Sequence, residues 1–343
     1  MTTEPRLSER SLLIAAFAAI YVIWGSTYLA IRLLAETLPG LSGMAVRFLV
    51  AGALLYAWAR WRGAAKPTRA HWRAGTLTGG LMLCGGGGGV VVAIRHLDSG
   101  LVALLVGMVP LWIAFLLWFW PGGRRPSLPV VAALLIGFGG VAILAAPGDV
   151  LGGEPIHLPS VLVMMLACLS WGVGSLVSRG VELPRSPHLV SALQMLTGGA
   201  FLLTWGLLDG EWEGFDPQGV SATSVLALLY LIFLGSIVAF SAYSWLIRTA
   251  EPTQVATYAY VNPVVAVFLG WLIADEPVGG RTLVAAALIL GSVALVTRAT
   301  ARRGREEPRA AGEGPAGAGR ETAAAGRPQG YDPGIDKPLE RCA

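Results

Sequence analysis

Charge is what this sequence has least of. Of its 343 residues only 13% are Asp, Glu, Lys or Arg, whereas 55% are hydrophobic; a soluble domain carries about a quarter charged residues. That balance points away from a water-soluble protein and toward a membrane one. Cysteine is scarce as well. Cys84, Cys168 and Cys342 form an odd, scattered set that supplies neither a disulfide framework nor metal-ligand spacing. Only four histidines occur, and His71, His96, His157 and His188 all fall at the edges of apolar runs or between them. Asp and Glu are confined to the same places. A membrane-embedded enzyme would need paired intramembrane acids, a His pair or a Ser/His arrangement, so an enzyme is disfavoured and no metal or cofactor is expected.

What fills the sequence instead is a series of apolar runs. A spanning helix needs about 20 mainly apolar residues to cross a hydrocarbon core about 30 Å thick. Ten segments meet or approach that length: 12–34, 41–60, 73–94, 98–119, 128–146, 159–178, 188–208, 223–246, 252–274 and 281–298. Their apolar character is continuous rather than alternating, which favours helices over a barrel. Arg6 and Arg10 precede the first run as in a signal peptide, but the run is too long and no small-residue cleavage site follows, so a retained helix is expected. The run GGGGG at 85–89 has no following Lys-Ser/Thr and lies within a span, which excludes a phosphate loop and leaves close helix packing or local flexibility.

The Arg residues cluster between spans, so the net charge of +4 needs no nucleic acid to explain it. Arg60, Arg62, Lys66, Arg69 and Arg73 fill the second connection; Arg124 and Arg125 mark the fourth, Arg179 and Arg185 the sixth, Arg248 the eighth. Arg298, Arg302, Arg303 and Arg305 follow the tenth span. The alternate connections carry Glu36, then Asp149 and Glu154, then Asp209, Glu211, Glu213 and Asp216, then Asp275 and Glu276, with Arg95 and Arg281 as exceptions. The positive-inside rule places both termini in the cytoplasm, as an even number of spans requires. From about residue 299 the composition turns to Arg, Glu, Gly, Ala and Pro, and residues 299–343 read as a disordered cytoplasmic tail. Residues 1–11 are a short cytoplasmic N-terminus.

The chain also repeats itself. At an offset of 147, YVIWGSTYLAIR is echoed at 167–179, pairing Trp24 with Trp171, Gly25 with Gly172 and Arg32 with Arg179. The same offset sets Arg47 opposite Gln194. At an offset of 153, AIRHLDSGLVALLVGMVP meets LIRTAEPTQVATYAYVNP, pairing Arg95 with Arg248 and Pro110 with Pro263. Each repeat, 12–146 and 159–298, therefore holds five spans. An odd number forces the second copy to enter the membrane upside down, which is the basis of alternating access in many secondary transporters.

The stretches YVIWGSTYLAIRL, GMAVRFLVAGALLYA and LIRTAEPTQVATYAYVNPVVAVFLGWL, with the acidic DEP before the last span, resemble the EamA branch of the drug/metabolite transporter superfamily and, within it, exporters of the YedA type. The likeness covers residues 12–298. It implies a ten-helix carrier of two inverted five-helix units around a central cavity, an inner-membrane exporter of amino acids, related metabolites or drugs. In the family the first unit usually carries an acid after its fourth span; here PGGRRPS has Arg instead. Small multidrug exporters of the superfamily use a glutamate in the first helix, and no acid lies between Ser11 and Ala35. Energy coupling is therefore left open, as are transport direction and any homodimer.

Tyr21, Trp24, Tyr28 and Arg32 recur at helical spacing and share one face, as do Cys168, Trp171, Ser175 and Arg179. Mid-span Trp24 is poorly placed for an interface anchor. Lining a cavity and packing against neighbouring helices both fit this face, with Gly25 and Gly172 allowing close approach. Aromatics beside hydroxyls suit amphipathic or cationic solutes. Arg47 lies a third of the way into its span, with no acid in that span. It can meet a substrate carboxylate, backbone carbonyls or water, or snorkel about 10 Å to the interface. Pro110 and Pro263 fall near span centres, where proline kinks or opens a helix and frees the carbonyls of Val106 and Ala259. Tyr258, Tyr260 and Asn262 flank the second break, which places more of the substrate contacts there. Ser236, Ser241 and Tyr243 are weaker candidates, since serine in a span often bonds its own helix. The expected partners are a small-molecule substrate and the lipid bilayer, and not nucleic acid.

Overall fold

Long apolar stretches that cannot satisfy their backbone with lipid must do so internally, and the chain does this with helices. A computed structural model describes residues 9–121, 125–146, 156–250, 252–255 and 257–310, with no strand among them. The helices, numbered in chain order, are α1 (Glu9–Ala35), α2 (Gly40–Trp61), α3 (Arg69–Ile94), α4 (Ser99–Phe119), α5 (Leu128–Ala145), α6 (Leu158–Val177) and α7 (Pro187–Leu208). Then come α8 (Ala222–Tyr230 continued through Leu231–Val238 and Ala239–Thr249), α9 (Tyr258–Ala274) and α10 (Gly280–Ala310). Nine of these regions are long and apolar enough to span a membrane among the described residues; α9, with 17 residues, is shorter.

The outer surface of the bundle is apolar. Leu128, Leu135, Leu166, Leu208, Leu226 and Trp271 are among many large hydrophobic side chains left exposed. In water such an area would drive aggregation, whereas in a bilayer it is the lipid contact.

Two helices deviate from α geometry in matching places. Residues Gly80–Gly87 of α3 and Leu231–Val238 of α8 form π-helical turns. Both ends of the second turn lie 151 residues after those of the first (80 to 231, 87 to 238), within the range of offsets that relates the two repeats. The glycine run belongs to the first of these turns and to the packing beyond it. A Cβ at Gly86 would lie 2.8 Å from Trp171, one at Gly88 2.5 Å from Trp205 and one at Gly89 2.5 Å from Ala167. Close packing is thus what these glycines serve.

The prolines act differently in the two copies. α4 is interrupted at Gly107 and Met108, and Pro110 stands in the first turn of its second segment, where no N–H is required. α9, by contrast, runs unbroken through Pro263, and the chain is irregular before Tyr258 instead. The break expected at Pro263 therefore sits upstream, around the short turn Pro252–Val255. The two proline helices meet: a Cβ on Gly107 would lie 3.5 Å from the Pro263 ring and 3.7 Å from the Ala259 carbonyl.

α10 extends twelve residues beyond the expected end at 298, so the tail begins as helix. The rest of it, residues 311–343 with Cys342, lies outside the described residues, as do Arg6, Arg124, Asp149, Glu154 and Glu251 and the side chain of Arg248. The residues up to Arg302 make one compact unit. Within it α2 packs most extensively on α7, α1 on α8 and α9, and α6 on α3 and α4, so each half is held largely by the other.

Candidate functional site

The π turn of α8 gathers two of the residues singled out by the sequence. In a π turn the helix widens and the regular ladder of carbonyls is disturbed, which is why such turns recur at functional sites. Here the Gly235 carbonyl accepts a hydrogen bond from Trp24 Nε1 at 3.1 Å. Its neighbour Ser236 accepts one from Arg47 Nε at 3.0 Å through Oγ, and donates that hydroxyl to the Leu231 carbonyl at 3.0 Å. One turn thus ties α1 and α2 to α8.

Trp24 is also the hub of an aromatic cluster. Its ring centroid lies 5.2 Å from Tyr243, 5.4 Å from Tyr258 and 6.0 Å from Phe240, and Tyr243 and Tyr258 are 5.8 Å apart. The contact with Tyr243 is tilted and the other three are edge-to-face, a geometry that contributes about 0.5–1.5 kcal/mol per pair beyond area burial. Tyr21, one turn earlier on α1, hydrogen-bonds Thr257 just before α9. Gly25 makes the approach possible: a Cβ there would lie 2.7 Å from Val265 and 3.2 Å from the Asn262 carbonyl.

Arg47 is buried, with 7% of its surface exposed, and does not snorkel. Its guanidinium lies 5.0 Å from the Phe48 ring centroid, and Nη1 reaches Met44 Sδ at 3.7 Å. No carboxylate pairs with it among the described residues. Tyr28 and Tyr230 lie near it, and the Tyr230 hydroxyl meets Ser26 Oγ at 2.5 Å. Asn262 is 6% exposed, and its Oδ1 has no hydrogen-bond partner among the described residues. A buried, unpartnered amide oxygen costs about 1–3 kcal/mol, so it asks for a ligand or another conformation.

The second copy is plainer. Trp171 packs on the α3 π turn at Gly86, with no hydrogen bond like that of Trp24 among the described residues. Gln194 Nε2 donates to Thr78 Oγ1 at 3.1 Å, a packing contact between α7 and α3. Ser175 donates to the Trp171 carbonyl of its own helix at 2.8 Å. Tyr260 packs against the main core and lies beside Tyr21 and Thr257.

A second feature lies at the end of the bundle where α1 finishes. Glu276, 5% exposed, accepts from Ser99 N at 2.8 Å, Ser99 Oγ at 2.6 Å and Gly100 N at 2.9 Å, and from Arg32 Nη1 at 2.5 Å. Arg32 Nη1 also reaches Asp98 at 3.3 Å. Glu211 does the same for α2, accepting from Leu41 N at 2.8 Å, Ser42 N at 2.9 Å and Arg95 Nη2 at 2.7 Å. Neither α2 nor α4 has a side-chain cap of its own. Each is capped by a carboxylate from the other half of the chain, which suits both the free amides and the helix dipole.

Known proteins fit this architecture. The profile of the EamA-like transporter family matches residues 11–146 and again 158–298. The chain belongs to the EamA-like transporter family. The inner membrane transporter YedA of Escherichia coli (strain K12) is 36% identical over 83% of this chain and 90% of its own. The transporter YvbV of Bacillus subtilis (strain 168) is 27% identical over 62% of this chain and 68% of its own. A solved crystal structure at 24% identity aligns with 86% of this chain and 99% of its own at a TM-score of 0.55, which bears on the fold alone.

In this EamA protein the sequence-predicted residues divide. Trp24, Tyr21 and Tyr258 come together from α1 and α9 against α8, with Asn262 and Tyr260 on the same stretch of α9. Arg47 joins them from α2 with Tyr28 near it, whereas Trp171, Ser175 and Gln194 lie in the other copy and make the helix contacts described above. Tyr243 and Ser236, held as weaker candidates, are central. Sequence reasoning missed Tyr230 and the role of Glu276 and Glu211. The DEP motif was the one visible signal for Glu276.

Proposed function

We propose that this protein is a secondary carrier that exports a small amino-acid-like or amphipathic metabolite across the inner membrane by alternating access. It spans the membrane ten times as two inverted five-helix repeats, with both termini in the cytoplasm. The single observation that carries this reading is the π turn of α8, where adjacent residues Gly235 and Ser236 hold Trp24 and the buried, carboxylate-free Arg47. A buried cation without an acid is costly in a membrane and is retained where a substrate anion completes it. The aromatic cluster beside it offers faces for the apolar or cationic part of the same solute. The reading draws further support from the transporter family matched in both halves and from YedA, described as an inner membrane transporter.

Alternating access also needs gates. The carboxylate clamps of Glu276 and Glu211 join the two halves at the end that the charge pattern assigns to the outside. At the opposite end the repeat mates of Ser99 and Gly100 are Pro252 and Thr253, and no acid stands where Glu276 has its mate. Toward that end α1 meets the start of α9 through the Tyr21–Thr257 hydrogen bond. The two gates thus differ in kind, ionic on one side and uncharged on the other.

The test is transport of a panel of amino acids, metabolites and amphipathic drugs in inverted membrane vesicles, with and without a proton gradient. Protein-dependent accumulation of at least one compound, lost in Trp24→Ala, Arg47→Gln or Tyr258→Ala, is the expected result. If all three variants carry every compound as the parent does, the site is misassigned. Co-purification of a soluble ATPase would argue against a secondary carrier.

A further inference from the structure

The end of the bundle where α2 finishes and α7 begins carries a groove of about 420 Å³. It is lined by Trp58, Arg62, Arg185, His188 and the small residues between them. The Trp58 ring is the floor. The Arg62 guanidinium lies 5.4 Å from its centroid and the His188 ring stands nearly perpendicular to it at 4.7 Å. Arg62 and Arg185 reach the groove from two different connections, α2–α3 and α6–α7, one in each repeat. Neither has an ion-pair partner among the described residues.

The surroundings have one sign. Across 60–73 and 179–185 there are seven cations, Arg60, Arg62, Lys66, Arg69, Arg73, Arg179 and Arg185, against Glu182 alone. Glu182 does not line the groove and lies 3.4 Å from His71 Nε2. Arg60 is turned to the loop carbonyl of Ala64. Two Arg forks are therefore free to converge on one acceptor, and the divergent non-bridging oxygens of a tetrahedral phosphate, singly charged in a phosphodiester, can accept from both forks at once. The α2 and α7 ends that frame the groove are the ends of spanning segments, so it lies at headgroup depth, on the side where the charge pattern places the anionic inner leaflet.

We infer that this groove binds a phosphate group, with the indole of Trp58 packed beside it and Arg62 and Arg185 as its ligands, and that the phosphate belongs to an anionic lipid of the inner leaflet. Occupancy would bridge the two repeats at the α2–α7 seam, the most extensive helix contact in the protein. A lipid would then act as a third party in holding the halves together, away from the transport site.

The experiment uses the full-length protein in detergent. Binding of short-chain phosphatidylglycerol, short-chain phosphatidylcholine and glycerol phosphate is measured by native mass spectrometry. The pocket variant Arg62→Gln/Arg185→Gln is compared with Lys66→Gln/Arg69→Gln, which removes the same charge outside the groove. The expected result is one phosphatidylglycerol bound in the parent and in the control variant, weakened about tenfold or more in the pocket variant. Phosphatidylcholine should bind without dependence on the pocket. Equal weakening in the two variants would reduce the effect to general surface charge and overturn the site. Pocket-dependent binding of glycerol phosphate without pocket-dependent binding of phosphatidylglycerol would overturn the lipid as its source. A matching thermal melt for the two variants establishes that both are folded.

Discussion

The carboxylate of Glu276 sits on the first two amides of α4, accepting from Ser99 and Gly100 while it pairs with Arg32. A residue 177 positions away thus supplies the cap that the helix lacks.

Removing that charge while keeping its shape isolates the clamp. Glu276→Gln should lower stability by about 1–3 kcal/mol, because a charged acceptor is replaced by a neutral one and Arg32 is left with Asp98. Hydrogen exchange should quicken at Ser99 and Gly100 and stay unchanged at Leu41 and Ser42, whose cap is Glu211. Unchanged exchange at Ser99 would mean that the cap is dispensable.

Gly25 makes a steric prediction. Its missing Cβ would stand 2.7 Å from both the Cβ and a Cγ of Val265, a separation that packed side chains do not reach. Gly25→Ala should cost about 1–3 kcal/mol by overpacking the α1–α9 contact. Exchanging the volumes, Gly25→Ala with Val265→Gly, should be less damaging than the sum of the two single changes. Strict additivity in the melting temperatures would show that the two residues do not share that space.

The parts of this structure that the sequence discloses are those with local causes. Helix positions follow from hydropathy, since a segment of about 20 apolar residues has no other stable course through lipid. The repeat is legible because Trp24 and Trp171, or Pro110 and Pro263, keep their spacing. The break before Tyr258 is not, because proline at an inner position reads the same whether the helix opens at it or before it. Nor are the clamps, which join residues about 170 apart and depend on which loops meet. Gln194 stands opposite Arg47 in the repeat, yet Gln194 bonds Thr78 of α3 whereas Arg47 reaches Ser236 in the turn that also holds Trp24.

Trp24 separates two contributions that a single deletion would merge. Trp24→Phe keeps a ring against Tyr243 and Tyr258 and loses only the bond to the Gly235 carbonyl, about 1 kcal/mol. Trp24→Ala removes the hub and should cost about 3 kcal/mol and transport with it. Initial rates in vesicles should therefore fall modestly for Phe and to background for Ala. An equal loss in the two would assign the function to the indole N–H rather than to the aromatic faces.

Arg47 and Asn262 predict opposite signs for stability and activity. Both are buried polar groups left incompletely satisfied, Arg47 without a carboxylate and Asn262 with an orphan Oδ1. A residue kept for the fold loses stability when replaced, whereas one kept for a ligand does not. Arg47→Met, which keeps the stem and drops the charge, should leave the melting temperature level or raise it, because an uncompensated cation at this depth costs several kcal/mol. Asn262→Leu should behave likewise by removing the unpaired oxygen. Both should nevertheless reduce transport tenfold or more, and Arg47→Met should hit carboxylate-bearing substrates harder than neutral ones. Parallel loss of stability and transport in Arg47→Met would instead make the bond to Ser236 a structural strut between α2 and α8.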